Sequence, residues 1–407
     1  MFYKINMFEY LSYILCFGIL IIFLIYICIR LKYGFWVMQP VFHVYDFGYM
    51  FNPPGIIQYS LPEKNKYTNF KDIDTIIFSE LSSIQKTRFI NLIKANYLQN
   101  KDNIFSPQSE NIIPYFIGHN DKSFISFFYK DNHMLDLKKG TMITDRQIIG
   151  AMTSRPLNVV INNDSKNNNS KLRVYYVDYL CVDVLNRKKG IAPQLIQTHH
   201  YNQRHLNKNI VVSLFKREDE LTGIVPLCVY STYGFPVDKW TKPPELSGEY
   251  KLLEINGTNY RFVYDFIRNN SNRFDIIIKA DMANILELIK TKNIYAYAIL
   301  CDEEIISCYF FRKSCVQIEK GLEALSFFAS ICDCEEDIFI QGFKISFWKI
   351  AAENFFGFAV LENISHNNII INNIMLKTKP LIISPTAYFF YNFAYPTFKP
   401  EKALIIN

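Results

Sequence analysis

The chain has 407 residues, with 44 Lys and Arg against 38 Asp and Glu for a net charge of +6, and half of its residues are hydrophobic. So small an excess, with no dense basic run, excludes the usual electrostatic footprint of a nucleic-acid binder. The nine cysteines show no paired framework, and Cys332-Asp-Cys334 has no second pair or histidine at zinc spacing, so reduced thiols and no metal are expected.

In chain order the first feature is residues 10–29, YLSYILCFGILIIFLIYICI, an uncharged run of 20 residues. That length crosses the roughly 30 Å hydrocarbon core as a helix. It is too long for the apolar core of a secretory signal, has no small-residue cleavage site and follows Lys4 and Glu9 rather than a basic flank. A retained single-pass anchor is expected. Arg30 and Lys32 follow the run, which places the body in the cytoplasm and the short N-terminal stub outside.

From residue 70 the periodicity predicts a helix near 82–98 and extended runs at 124–130, 147–152, 172–182 and 210–215, the last two flanking an amphipathic stretch at 191–206. The segment 162–170, NNDSKNNNS, reads as a polar loop. Sequons such as those at Asn163 and Asn363 carry no weight in so Asn-rich a chain. From residue 253 a similar order returns. It has a helix near 279–291, a hairpin turning at Asp302–Glu304, a strand near 324–331, a helix near 336–353, a strand at 357–362, a helix near 366–376 and a strand at 387–394. Two mixed α/β domains related by a pseudo-twofold are expected. Pro236, Pro243, Pro244 and Gly248 mark the boundary, giving 1–32 as stub and anchor, 33–235 as the first domain, 236–252 as linker and 253–407 as the second domain. The alternative is a long loop within one domain.

The sharpest local chemistry is VDYLCVDVLNRKKGIAPQLI, residues 177–196. A strand ends near Val182, and Arg187-Lys188-Lys189-Gly190-Ile191-Ala192-Pro193 then opens a helix. Free N–H groups at a helix N-terminus, small residues at Gly190 and Ala192, and three cations make a diphosphate cradle, to which a solvated basic turn is the alternative. The equivalent turn of the second copy, Cys332-Asp-Cys334-Glu335-Glu336, is acidic and would repel phosphate, so one diphosphate site is expected and the second copy would serve another role. His199, His200 and His205 do not share one helix face and read as surface histidines rather than metal ligands.

The twofold order resembles the acetyltransferase (GNAT-type) plan, and the motifs resemble the protein N-myristoyltransferase (glycylpeptide N-tetradecanoyltransferase) family. The family's Y-x-F-W-x-x-Q-P-V is met by Tyr33, Phe35, Trp36, Gln39, Pro40 and Val41. Its strand N-F-L-C-V is met by Asp178-Tyr179-Leu180-Cys181-Val182, and its R-S-K-R-x-A-P turn by residues 187–193. Asn96-Tyr97-Leu98 through Asp102, Asn103 and Phe105, then Tyr388 through Tyr391, Asn392 and Phe393 with the apolar tail to Asn407, complete the series in family order.

The resemblance implies two tandem acetyltransferase-like domains that move a C14 acyl group from myristoyl-CoA to the α-amine of an N-terminal glycine on peptides and proteins. It implies an oxyanion hole from the backbone N–H groups of Tyr179 and Leu180, and the chain-end carboxylate of Asn407 as base on the glycine ammonium. It also implies Tyr33, Phe35, Trp36, Gln39, Leu180, Val182 and residues 187–193 as the acyl-CoA site. Tyr97, Asp102, Phe105, Tyr230, Ser326 and Tyr391 would form the acceptor site of a monomer. Departures are visible. Asp178 replaces Asn and would hold the amine by charge or act as an accessory base, to which a solvated strand-edge carboxylate is the alternative. The acidic cluster is thinned to Gln99-Asn100-Lys101-Asp102, Ser106 replaces Arg, Gly34 replaces Lys, and Cys228-Val229-Tyr230-Ser231-Thr232 keeps the Tyr but not the His of C-R-Y-W-H. The rival expectations are an enzyme using a shorter acyl-CoA, and a catalytically degenerate acyl-CoA- or lipid-binding membrane protein.

Overall fold

The computed structural model describes residues 7–32, 34–51, 54–98, 103–136, 141–162, 170–218, 223–318 and 321–407. Tyr33, Asp102, the sequon Asn163 and the N-terminal stub lie outside the described residues. Helix α1 is Met7–Lys32, and its segment Tyr10–Cys28 is long and apolar enough to cross a membrane, with none of it buried against the body.

The first copy of the plan begins with α2, Ser83–Asn96, which starts where the sequence supplies a capping box. The Gln85 N–H donates to Ser82 Oγ at 3.2 Å, and the Ser82 N–H to Gln85 Oε1 at 3.1 Å. The strands β1, Phe124–Asp136, and β2, Thr141–Ile161, form a long antiparallel hairpin. They run well past the expected 124–130 and 147–152. Charged and polar residues extend the hairpin outward, and Pro156, which reads as a strand breaker, sits inside β2 opposite Tyr175. Next come β3, Ser170–Val177, and β4, Leu180–Val182, in place of the single run expected at 172–182. Helix α3, Ile191–Leu206, matches the amphipathic stretch, and β5, Val212–Glu218, and β6, Cys228–Pro236, close the copy.

The second copy comprises β7, Ile276–Lys279; α4, Met282–Lys290; the hairpin β8, Ile294–Cys301, and β9, Glu304–Ile318; and β10, Leu322–Cys332. It ends with α5, Glu336–Asn354; β11, Phe358–Glu362; α6, Asn367–Met375; β12, Ile382–Tyr391; and β13, Ala403–Ile406. The hairpin turns on Asp302 and Glu303, both with positive φ, as a tight two-residue turn needs. A helix at Tyr260–Asn269 joins the plan unannounced, although its buried Tyr260, Val263, Phe266 and Ile267 carry helical spacing.

The two copies exchange their closing strands. The sheet runs β8-β9-β10-β11-β6-β12-β5-β3-β2-β7-β13, so β6 of the first copy pairs with β11 of the second while β12 pairs with β5. Both β6 and β12 also pair with each other. One core cluster accordingly takes Leu157, Val174 and Leu214 from the first half and Val263, Ile277 and Phe310 from the second. The last strand, β13, lies parallel to β7, which pairs with β2, and so the chain end is carried back to the first copy.

Helix α5 packs onto the second hairpin through Gly342, where an added Cβ would meet Ile299 Cδ1 and lie 2.5 Å from the Tyr309 hydroxyl. Gly342→Ala is expected to destabilise the fold by about 1–3 kcal/mol through overpacking, read as a lower urea midpoint at unchanged m-value.

Candidate functional site

Along β2, the strand neighbour changes at Asp178 and Tyr179. Residues 155–161 pair with β3, and residues 150–152 with β4. Strand β5 lies parallel to β3 at residues 174–177 against 212–215, and has no such pairing with β4. The strands therefore part after Val177. The opening is a cleft of about 270 Å³ lined by Val177, Asp178 and Leu180 on one side and by Ser213, Phe215, Lys216 and Arg217 on the other. Helix α3 contributes Ile196, His199, His200 and Gln203, and Trp36, Tyr97 and Tyr391 complete the wall.

Backbone hydrogen bonds decide which amides face this cleft. Thr153 N–H donates to Tyr179 O at 2.9 Å and Asp183 N–H to Ile149 O at 2.9 Å. In an antiparallel ladder bonded pairs alternate with non-bonded ones, so Met152 and Leu180 form a non-bonded pair. The Leu180 N–H consequently points away from β2, on the side where β5 has withdrawn. The Tyr179 N–H donates to Thr153 Oγ1 at 3.1 Å. Of the two amides expected in an oxyanion hole, one is thus aimed into the gap and the other is held by a side chain.

The basic turn stands at the other end of this wall. Lys188 and Gly190 have positive φ, and Gly190 caps α3 without any side-chain hydrogen bond to the first helical N–H groups. The three cations are not equivalent. Arg187 folds back, its Nη2 donating to Asn96 O at 2.6 Å and its Nε to Val182 O at 3.3 Å, while Lys189 Nζ donates to Leu185 O at 2.9 Å. Lys188 makes no such bond among the described residues. Two of the expected phosphate ligands are therefore occupied in building the turn.

The N- and C-terminal motifs meet beside the cleft. Tyr391 OH donates to Gln39 Oε1 at 2.7 Å, and the Asn392 N–H to Pro40 O at 2.6 Å. Trp36 stacks on Phe215 at 5.8 Å, and Phe215 on Phe389 at 5.3 Å. Asn392 holds a positive φ while its side chain bonds Gln58 and Val211. Tyr97 packs edge-on against Phe105 and Tyr179 at 5.6 and 5.2 Å. Phe35 packs on Tyr67, and Val182, Ile191, Ala192 and Pro193 sit where β4 passes into α3.

The histidine expectation is corrected. His199 and His200 are buried under the sheet, and only His205 is exposed. His199 bridges Ser126 and Ser154, both at 2.8 Å, and burial lowers its pKa to about 4. Burial and then Arg204 lower that of His200 to about 3. The signal missed was α3 packing over a sheet face, which buries residues three and four apart together.

From the cleft wall a polar cluster extends to the sheet face away from α3, and of its members the sequence reading named Asp178, Tyr230, Ser326 and Asn407 but not Arg155, Lys216, Arg312 or Glu362. Asp178 is not a solvated strand-edge residue. Its two oxygens accept from Arg155 Nε at 3.0 Å, and burial pushes its carboxyl upward against the pull of Arg155. Lys216 Nζ lies 3.1 Å from Glu362, and Glu362 also accepts a short hydrogen bond from Tyr230 OH. Burial favours the neutral form of both partners, yet Glu362 holds Lys216 above the ordinary lysine range, and Lys216 and Arg312 hold Glu362 below the ordinary carboxylate range. Arg312 donates to the main-chain oxygen of Asn407 and, at 2.9 Å, to its Oδ1, while its guanidinium covers the Phe328 ring at 4.3 Å. Ser326 is the cross-strand neighbour of Arg312. A period-2 reading of VSLFK, with Val212, Leu214 and Lys216 inward, would have flagged the lysine.

No protein-family model matches the sequence, and no curated protein matches it. Solved structures do match in fold. The N-myristoyltransferase of Saccharomyces cerevisiae with bound myristoyl-CoA superposes with a TM-score of 0.68 at 12% identity, over 90% of this chain and 94% of that one. A second structure of the same yeast enzyme with bound myristoyl-CoA gives 0.68 at 13% identity over 91% of each. A tandem GNAT protein from the clavulanic acid biosynthesis pathway gives 0.51 at 10% identity, over 80% of this chain and all of that one. The fold is two tandem acetyltransferase-like domains in one mixed sheet, with the N-myristoyltransferase arrangement.

The buried histidines set an acid limit on stability. An unfolded histidine protonates near pH 6.5 while His199 and His200 stay neutral to about 4 and about 3, so the unfolded state binds more protons across that window. Stability is complete above pH 6.5 and falls by up to about 1.4 kcal/mol per pH unit per histidine as the pH drops toward 4. His200→Gln is expected to flatten urea-midpoint-against-pH plots over this range.

Proposed function

We propose that the protein is an acyltransferase that carries a myristoyl group from CoA to the α-amine of an N-terminal glycine. The observation that carries the reading is the parted-strand cleft with the Leu180 N–H aimed into it, lying between the basic turn and the buried polar cluster at the chain end. The thioester would lie in the gap with its carbonyl oxygen on the Leu180 N–H, the diphosphate at Lys188 and the open N–H groups of Ile191 and Ala192, and the acyl chain among apolar cleft residues. The Tyr179 N–H joins the oxyanion site only if Thr153 Oγ1 releases it. One such donor is typically worth roughly 10²–10³ in rate.

The acceptor nitrogen would approach from the face that carries Tyr97, Phe105, Tyr230, Ser326 and Asn407, with Asp102 as a further proposed contact. Its lone pair attacks the thioester carbon, the C–N bond forms, the C–S bond breaks, and CoA leaves as thiolate. The chain-end carboxyl of Asn407 takes the proton that the nitrogen sheds. Asp178, tied to Arg155, serves to fix the wall rather than as the base. Residues 33–235 would then hold the donor and 253–407 the acceptor, joined through 236–252. Helix α1 would anchor the body at the cytoplasmic face of a membrane and keep the acylated product near its destination.

Donor length is the first test. Calorimetry should show myristoyl-CoA binding orders of magnitude tighter than acetyl-CoA, since each buried methylene contributes about 0.8 kcal/mol. Equal affinity for the two would favour the shorter-acyl reading. Lys188→Ala is expected to weaken CoA binding several-fold with the fold intact, whereas Arg187→Ala should lower thermal stability because it removes ties to Asn96 and Val182.

Adding one residue after Asn407 displaces the carboxyl by up to about 3.5 Å. Turnover should then fall at least 100-fold while acyl-CoA affinity stays unchanged, measured by single-turnover kinetics and calorimetry. Full activity of the extended protein would remove Asn407 from the mechanism.

A further inference from the structure

Between the anchor and the first copy, the segment from Tyr59 to Lys71 forms a strap along α3, running opposite to the helix. Arg204 Nη2 donates to Tyr59 O and Ser60 O at 3.1 and 3.2 Å. Further along, the Asn69 N–H donates to Thr198 Oγ1 at 2.9 Å and Asn69 Nδ2 to Gln194 Oε1 at 2.7 Å.

The outer side of the strap combines rings with cations. Lys64 Nζ stands over the Phe70 ring at 5.2 Å, and Lys66 Nζ over the Tyr67 ring at 5.1 Å. Tyr59 and Phe70 are 75% and 42% exposed, and Lys64, Lys66 and Lys71 are exposed too. Against these three lysines the stretch 59–71 carries one acid, Glu63, and the next acid, Asp72, accepts from Asn69 Nδ2 at 3.0 Å. Aromatic rings flanked by lysines suit a membrane interface, where rings sit at headgroup level and ammonium groups reach the phosphates.

With α1 in the bilayer, the chain path holds this surface close to it. Helix α1 ends at Lys32, and Phe35 packs on Tyr67 of the strap at 5.0 Å. The intervening residues span at most about 10 Å, close to the Debye length of about 8 Å at physiological ionic strength. Tyr45 lies near enough to Tyr26, just before the end of the apolar span at Cys28, for the two phenols to interact. Trp36, beside Phe35, stacks on Phe215 in the cleft wall. The strap and the cleft therefore adjoin where the chain leaves the anchor.

Resting on the anchored reading above, we propose that the strap is a second membrane contact, which seats the body on an anionic leaflet through Tyr59, Lys64, Lys66, Phe70 and Lys71. The span alone fixes a point, and the strap adds an orientation in which the Trp36 side of the cleft is turned toward the lipid. A body held only by α1 would present all its faces to the leaflet in turn.

The experiment reconstitutes the full chain, body outward, into vesicles of phosphatidylcholine alone or of about three parts phosphatidylcholine to one of phosphatidylserine. Lysine acetylation by an uncharged N-hydroxysuccinimide ester is then followed by peptide mass spectrometry. Lys64, Lys66 and Lys71 should react at least about threefold more slowly on the mixed vesicles, because the negative surface draws them into the headgroups. Lys251 and Lys344, exposed on the second copy, should react alike on both. High salt should erase the difference. Tyr59→Glu combined with Lys66→Glu should return Lys64 and Lys71 to their rate on phosphatidylcholine while acyl-CoA affinity stays unchanged.

Equal rates for the strap lysines on the two kinds of vesicle would overturn the proposal, as would equal slowing of Lys251 and Lys344. Slowing of the strap lysines by free CoA in detergent would also overturn it, by assigning the strap to the phosphates of the donor. Each of these leaves the anchor and the acyltransferase reading standing. Protein that washes off the vesicles at alkaline pH would instead overturn the anchor, and the strap contact with it.

Discussion

Everything at the site depends on one break in a β ladder. Strand β2 holds β3 and then β4 along a single edge, but β5 follows only β3, so the sheet opens after Val177. An open ladder leaves polar backbone groups without partners, which a buried position does not tolerate cheaply. Here the break turns the Leu180 N–H toward a cleft in which a ligand carbonyl can accept from it. The basic turn, the helix N-terminus at Gly190 and the ring stack of Trp36, Phe215 and Phe389 all take their places from that opening.

The exchange of β6 and β12 joins the cleft of one copy to the buried polar cluster of the other, which the proposed function uses as donor and acceptor sides. Because β12 lies between β5 and β6, its end carries Tyr391 and Asn392 to Gln39 and Pro40 beside the cleft. Strand β13, tied to β2 through β7, brings Asn407 to Arg312. A chain end so deeply buried and so specifically held is expensive unless its polar atoms are paired. Arg312 pairs the main-chain oxygen and Oδ1 while Asn407 Nδ2 stays without a partner among the described residues, and the Arg312 guanidinium acts on Glu362 and Asp178 as well, so the cluster behaves as one electrostatic unit.

Much of this was legible in the residues. The amphipathic stretch 191–206, the hairpin about Asp302 and the repeated order of elements follow from periodicity and turn chemistry, and the structure has them at those places. Gly190 stands out in the sequence as a small residue at a helix start, and the structure holds it at a positive φ that glycine adopts without steric cost. What escaped reading depended on partners far away in sequence. Whether Arg187 faces a phosphate or a carbonyl is decided by Asn96, and whether Asp178 is solvated is decided by Arg155. His199 and His200 looked like surface residues because what covers them lies far away in sequence, Ser126 of β1 and Ser154 of β2 at His199 and the Tyr391 ring of β12 at His200. The Lys216–Glu362 pair spans 146 residues and leaves only one trace, a lysine at an inward position of a strand.

The central claim is that the parted-strand cleft performs acyl transfer to a glycine amine. Its most direct test is a mass spectrum of a short Gly-started peptide after incubation with myristoyl-CoA and the full chain in detergent. The account predicts a mass increase of one myristoyl group confined to the α-amine, absent from the same peptide with a blocked N-terminus. A peptide left unmodified by protein that demonstrably binds myristoyl-CoA would contradict it, and would make the chain an acyl-CoA-binding membrane protein instead.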